Sequence, residues 1–171
     1  MPLRHVEASE GLLTLPGAAV DQLGVPLSSI LHKKGTLVHQ VRVDASVFDA
    51  LSVMNAVHVG CVVVVDNEAK LCGVFTERDV LVRVVGESRD PRATPVRDVM
   101  NGEVYVATPQ TTLGEALHLM VNLRFRHLPV LGEDGALLGL VSSGDITAWL
   151  ATHLGAKVHE LECYIHGTYL P

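Results

Sequence analysis

The sequence predicts an α+β fold made of two copies of one β-α-β-β-α unit related by an approximate twofold axis, and three observations carry that prediction. The first is an internal repeat: at an offset of 66 positions, residues 43–80 align with residues 109–146 without a gap. Identities fall at Ala50/Ala116, Leu51/Leu117, Met54/Met120, Val64/Val130, Leu71/Leu137, Gly73/Gly139 and Asp79/Asp145, and self-similarity at one spacing marks a duplicated unit. The second is periodicity, which in each copy passes from helical spacing to β-branched runs and back. The third is composition: of 171 residues, 48% are apolar, 19% charged and only 4% aromatic. An aliphatic core of that size suits strands covered by helices.

Each copy opens with a short helical turn, Ser29–Lys33 or Val96–Met100, followed by an extended segment, Leu37–Val43 or Val104–Ala107. A clear helix comes next. In the first copy Ser46 and Asp49 have capping-box spacing, and Val47, Ala50, Leu51, Met54 and Val57 then recur along one face. Thr112 and Glu115 repeat the cap, followed by Leu113, Ala116, Leu117, Met120 and Leu123. The pair of strands reads Cys61–Val65 and Leu71–Phe75, matched by Leu128–Leu131 and Leu137–Val141. A second helix runs from about Arg78 to Val85 and from about Asp145 to Leu154. Neither copy alone covers its sheet with two helices on one face, so the copies must pack together, leaving matched clefts where a small ligand would bind.

The organisation expected is an arm over 1–27, a first unit over 28–86, the polar linker Gly86–Pro95, a second unit over 95–153 and a closing helix and tail over 154–171. The arm holds Pro2, Pro16 and Pro26, and Glu7 and Glu10 precede its short apolar patch, which reads as a loosely ordered strap rather than a targeting signal.

A formal net charge of -6 supplies no basic field for nucleic acid or an anionic membrane. No uninterrupted apolar run approaches the roughly 18–20 residues that cross a bilayer. Cys61, Cys72 and Cys163 are odd in number and form no C-x-x-C, which fits reduced thiols in a cytoplasmic protein. No metal is expected: Glu115 and His118 form a single pair on an amphipathic helix, and His153, His159 and His166 match no ligand spacing.

Two tetrapeptides could carry chemistry: Thr76-Glu77-Arg78-Asp79 and Ser142-Ser143-Gly144-Asp145, each directly after a strand and opening a helix. One reading is a capping box that satisfies free N–H groups. The other uses the same turn to hold a phosphate with N–H and hydroxyl groups while the carboxylate takes both hydroxyls of a ribose. That second role requires Asp79 and Asp145 to be free of salt bridges and to face the cleft rather than their own helix. In Arg124-Phe125-Arg126-His127-Leu128-Pro129-Val130, three basic side chains precede a strand whose proline implies an edge or cleft-facing position. Arg126 and His127 read either as a solvated strand start or as a phosphate clamp.

The repeat and the strings Gly73-Val74-Phe75-Thr76-Glu77-Arg78-Asp79, Arg126-His127-Leu128-Pro129-Val130 and Gly139-Leu140-Val141-Ser142-Ser143-Gly144-Asp145 resemble tandem CBS domains, named after cystathionine β-synthase and also called Bateman modules. The resemblance covers Ser28 to His153. The tail Leu161–Gly167 is similar to the closing helix of short stand-alone bacterial members.

The resemblance implies a regulatory module, not an enzyme, that needs no cofactor and binds adenosine-containing ligands such as AMP, ADP, ATP, NAD(H) or S-adenosylmethionine. It implies that Asp79 and Asp145 hold ribose, with Thr76 and Ser142 beside the ribose or phosphate; Arg78 and Gly144 lie within the same motifs. Base reading would fall to His39, Val59, Gly60 and Cys61 in the first copy and to Tyr105, Phe125, Arg126 and His127 in the second. Sites of this type often join the strand start of one copy to the motif of the other, which would put Arg126 and His127 near Asp79. A homodimer and an unidentified protein effector are the partners implied. Because Gly60-Cys61-Val62-Val63 stands where the second copy has Arg126-His127-Leu128-Pro129, the two clefts should differ. The competing reading is a structural or protein-interaction module whose clefts are vestigial. A hydrolase or transferase using either aspartate as base lacks a nucleophile, a metal set and an oriented histidine.

Overall fold

The computed structural model describes residues 3–5 and 23–153. The remainder of the expected arm, 1–2 and 6–22, and the closing segment 154–171 lie outside the described residues. In chain order the elements are β1 (Arg4–His5), α1 (Leu27–Lys34), β2 (Gln40–Arg42), α2 (Val47–Ala56), β3 (Cys61–Val65), β4 (Leu71–Thr76), α3 (Glu77–Asp79) continuing as a π-helix (Val80–Val85), a 3-10 turn (Val96–Asp98), β5 (Tyr105–Val106), α4 (Leu113–Asn122), β6 (His127–Leu131), β7 (Leu137–Ser142) and α5, helical over 143–153. The duplicated unit is present as expected.

Both capping boxes form on α2 and α4. The Ser46 hydroxyl accepts from Asp49 N at 3.1 Å and the Thr112 hydroxyl from Glu115 N at 3.2 Å, and each acid accepts the N–H of its cap residue in return. Both helices then exit through a left-handed residue, His58 and Arg124, each at φ 55. Within each half the paired strands are antiparallel, with Cys61 opposite Thr76 and His127 opposite Ser142, and each pair shifts register near its far end.

The two halves exchange their opening segments. Leu27, Ile30 and Leu31 of α1 are buried with Ala107, Leu113, Ala116, Met120, Leu128, Val130, Val141 and Ile146 of the second copy. Reciprocally, Val96 and Val99 are buried with Val47, Ala50, Met54, Val62, Val64, Phe75 and Val84 of the first. Each half therefore completes its core with chain that precedes the other. Leu31 lies so close over Gly139, and Met100 and the Asn101 carbonyl over Gly73, that a Cβ at either glycine would collide with them. This explains the identity at that repeat position. A third cluster, Cys61, Val74, Val104, Val106 and Leu131, joins strands of the two halves.

Within the stretch expected as an arm or strap, Arg4–His5 form β1, which pairs in parallel with β5. The second helix of the first copy has one α-helical turn and then π-winding over Val80–Val85, leaving Leu81, Val82 and Val85 exposed. β6 has β7 as its one strand partner and only an isolated bridge on its other side, where Ala107 N donates to Pro129 O and Leu131 N donates to Ala107 O, both at 2.9 Å, as the proline implies. Pro129 shortens that ladder. Its counterpart Val63 donates to the His39 carbonyl at 3.0 Å, and β2 pairs with β3 over three residues, whereas the proline has no N–H and leaves only the single bridge from Ala107 to Val130.

Candidate functional site

A cleft of about 680 Å³ opens between the halves. Its first-copy wall is Val74, Thr76, Glu77, Arg78, Asp79, Leu81 and Arg83; its other wall is Asn101, Met120, Val121, Arg124, Phe125, Arg126 and His127. The motif of one copy thus faces the strand start of the other, the crossing that the resemblance implies. Chain geometry explains the placement. β4 delivers Thr76 to the helix turn, and the left-handed Arg124 turns the chain from α4 into β6 so that Phe125 to His127 meet that turn. Phe125 is backed by Tyr105, whose ring stacks on it at 5.5 Å and 4°. Tyr105 itself is not part of the lining.

The acid at the centre is used differently from expectation. Asp79 Oδ2 accepts from Thr76 N at 2.9 Å and from the Thr76 hydroxyl at 2.6 Å, a complete capping box. Its other oxygen, Oδ1, is 3.7 Å from Arg83 Nε, and the Arg83 guanidinium is held by the Val99 and Met100 carbonyls. One carboxylate oxygen thus builds the helix start, the second stands next to a guanidinium, and the residue lines the cleft. The cap engages one oxygen only.

Asp145 departs further. Its Oδ2 caps Ser142 through N–H and hydroxyl contacts, both at 2.7 Å, and also accepts from Lys34 Nζ at 2.7 Å. The expectation that both aspartates are free of salt bridges is overturned. Burial pushes the Asp145 carboxyl up, but the Lys34 ammonium and the Ser142 donors outweigh it and hold it below the ordinary value. Ser142, Gly144 and Asp145 do not line the 680 Å³ cleft, nor do His39, Val59, Gly60 and Cys61. Their repeat counterparts, Tyr105 apart, do line it. The Gly60 carbonyl accepts from Glu77 N at 3.1 Å, as the Arg126 carbonyl accepts from Ser143 N at 3.0 Å, and the His39 carbonyl is taken by Val63.

His127 is not the cation that counting basic residues implied. Burial, with the charges of Arg126 and Lys34, holds its imidazole below the ordinary value of 6.5 against the opposing pull of Asp145 and Glu77. The first-copy counterpart is Cys61, whose thiol is pushed up to about 12 by burial and the Asp79 charge. A thiol so held stays protonated and is a poor nucleophile. Iodoacetamide at pH 8 should therefore leave Cys61 unmodified in the folded protein and label it after denaturation; rapid native labelling, read by peptide mass, would contradict this. At the other site considered for metal, the Glu115 carboxylate is engaged at Thr112 and His118 Nε2 contacts Asn122 Nδ2 at 2.8 Å. Among the described residues no group of three metal-ligating side chains occurs.

Sequence reasoning missed Lys34, Arg83 and Arg124. Arg124 stood in the quoted basic string. Lys34 reaches Asp145 across 111 positions, and no local pattern announces that contact.

Comparison with known proteins gives a consistent result. The CBS domain model matches residues 38–86 and 96–152. The mitochondrial CBS domain-containing protein CBSX3 of Arabidopsis thaliana is 35% identical over 130 residues, 74% of this chain and 63% of that protein. CBS domain-containing protein YhcV of Bacillus subtilis is 32% identical over 120 residues, 70% of this chain and 84% of that protein. The crystal structure of a CBS-domain containing protein from Agrobacterium tumefaciens superposes with a TM-score of 0.69 at 31% identity, covering 80% of this chain and 98% of that one. The chain spans 63%, 66% and 45% of the length of the first three curated relatives it matches. Two matched repeats, the exchanged cores and the cleft between them lead to one conclusion: the chain belongs to the CBS domain family.

Proposed function

We propose that this protein is a regulatory, non-enzymatic sensor of adenine nucleotides, with the ligand held in the cleft between Thr76–Asp79 and Phe125–His127. Asp79 Oδ1 takes the ribose hydroxyls, Phe125 offers an apolar face to the base, and Arg78, Arg124 and Arg126 surround the phosphates. The observation that carries this reading is the crossing itself: a carboxylate with one oxygen not used by its cap lies in a cleft with four arginines, Arg83 included, against two acids, Glu77 and Asp79. Helix capping requires none of those arginines. Binding would favour one arrangement of the two halves and so bias a surface read by a second copy or another protein. No described helix is long and apolar enough to cross a membrane.

A thermal-shift panel with AMP, ATP, NAD, NADH and S-adenosylmethionine tests the reading. A true ligand at 100 times its dissociation constant stabilises by about 2.7 kcal/mol, a rise of about 5–10 °C for a chain of this size. No shift with any of the five favours the competing reading of a structural module with vestigial clefts. That second reading draws on the completeness of the capping boxes at Thr76 and Ser142.

His127 gives the reading a pH signature. Its free imidazole titrates below 6.5, and a phosphate brought beside it favours the charged ring and raises that value. Binding therefore takes up protons, and affinity rises as pH falls through the interval between the free and bound values. Titration calorimetry from pH 7.5 to 6.0 should show tighter AMP binding at the acidic end, with a weaker slope for His127→Gln. Equal slopes for both proteins would remove His127 from the phosphate.

A further inference from the structure

Shifted by the repeat offset, the lining of the Asp79 cleft loses its cations. Arg78, Arg83, Arg124 and Arg126 correspond to Gly144, Trp149, His58 and Gly60, so none of the four guanidiniums has a counterpart around Asp145. One cation arrives from elsewhere. Lys34, the last residue of α1, places Nζ 2.7 Å from Asp145 Oδ2 and 3.1 Å from the Leu140 carbonyl. Leu140 is the counterpart of Val74, which lines the Asp79 cleft. The ammonium thus bridges the equivalent wall and the equivalent acid.

α1 holds Lys34 there firmly. Leu27, Ile30 and Leu31 are buried in the second-copy core, and Leu31 lies against Gly139, one residue from Leu140. The position equivalent to Lys34 in the other half is Met100, which packs on Gly73 and carries no charge to offer Asp79.

We infer that Lys34 is a built-in cation on Asp145 that weakens its hold on a ligand's hydroxyls, so that the chain binds one nucleotide, in the Asp79 cleft. The inference rests on the nucleotide reading of that first cleft. A ribose approaching Asp145 meets a carboxylate whose charge is already engaged through Oδ2 by an ammonium that also donates to the Leu140 carbonyl, and the repeat places no arginine there for its phosphate. At Asp79 the nearest cation is farther off, Arg83 at 3.7 Å from Oδ1, and is tied to two carbonyls, with three further arginines in the lining.

The test is calorimetric stoichiometry with AMP and ATP for the unaltered chain, Lys34→Met, and Lys34→Met combined with Asp145→Ala. Methionine is what the other half carries at this position, and Lys34 is exposed, so the fold should survive. The expected counts are one site, two sites and one site, with affinity at the second cleft rising on the order of tenfold in Lys34→Met, as removal of one charge-assisted contact implies. One site in both the unaltered chain and Lys34→Met overturns this inference alone, as do two sites in the unaltered chain. No binding in any form overturns the nucleotide reading and this inference with it.

Discussion

Asp79→Ala is expected to weaken AMP and ATP binding by about two orders of magnitude, the worth of one or two hydrogen bonds to a charged group, and to lower folding stability by about 0.5–2 kcal/mol. Both losses follow from the division of labour between its oxygens. Oδ2 accepts from Thr76 N and the Thr76 hydroxyl, so alanine leaves a helix start uncapped. Oδ1 lies outside the cap in a residue that lines the cleft, so alanine also removes the acceptor proposed for ribose. Asp145→Ala separates the two effects, because Asp145 caps in the same way but does not line the cleft. It should show the stability loss with AMP affinity nearly unchanged. Equal loss of affinity in the two variants would mean that the clefts are used alike.

Gly73→Val should cost about 3 kcal/mol, near the upper end of overpacking, and lower the melting temperature by roughly 6–12 °C. A Cβ at Gly73 would stand 2.7 Å from the Asn101 carbonyl and 2.7 Å from Met100 Sδ. The methionine can swing away, but the carbonyl is backbone and is fixed in a reciprocal pair, Val74 N to Asn101 O at 3.0 Å and Asn101 N to Val74 O at 2.9 Å. Relief requires lifting the 99–101 segment from β4. Because Val74 and Asn101 both line the cleft, ligand affinity should fall with stability. Gly144→Ala is the contrasting case: its nearest neighbour is the Ser142 hydroxyl at 3.6 Å, an ordinary contact, and its effect should stay within about 0.5 kcal/mol. Chemical denaturation of both variants makes the comparison, and equal stability would show that the opening segments are not packed as described.

The duplicated unit was legible because burial imposes the same apolar spacing twice, as at Ala50/Ala116 and Met54/Met120, all of them buried. The capping boxes were legible because they are local, each joining residues three apart. The crossing of Asp79 with Phe125–His127 came through family resemblance rather than periodicity, since nothing local says which half supplies each wall. What escaped was non-local. The seating of α1 on the second core depends on contacts such as Leu31 with Gly139, and the Lys34–Asp145 pair joins the two halves. The neutral tendency of His127 arises from burial and neighbouring charge that a list of basic residues does not contain. Pro129 was legible because a missing N–H limits a ladder: β6 has β7 as its one strand partner and only the bridge from Ala107 on its other side.

The most direct measurement is a crystal structure of the protein grown with millimolar AMP. The account predicts a nucleotide in the cleft lined by Thr76, Asp79, Phe125 and Arg126, with ribose hydroxyls within hydrogen-bond distance of Asp79 Oδ1 and Lys34 still on Asp145. A nucleotide-free Asp79 cleft at that concentration, or AMP bound at Asp145 with Lys34 displaced, would contradict it.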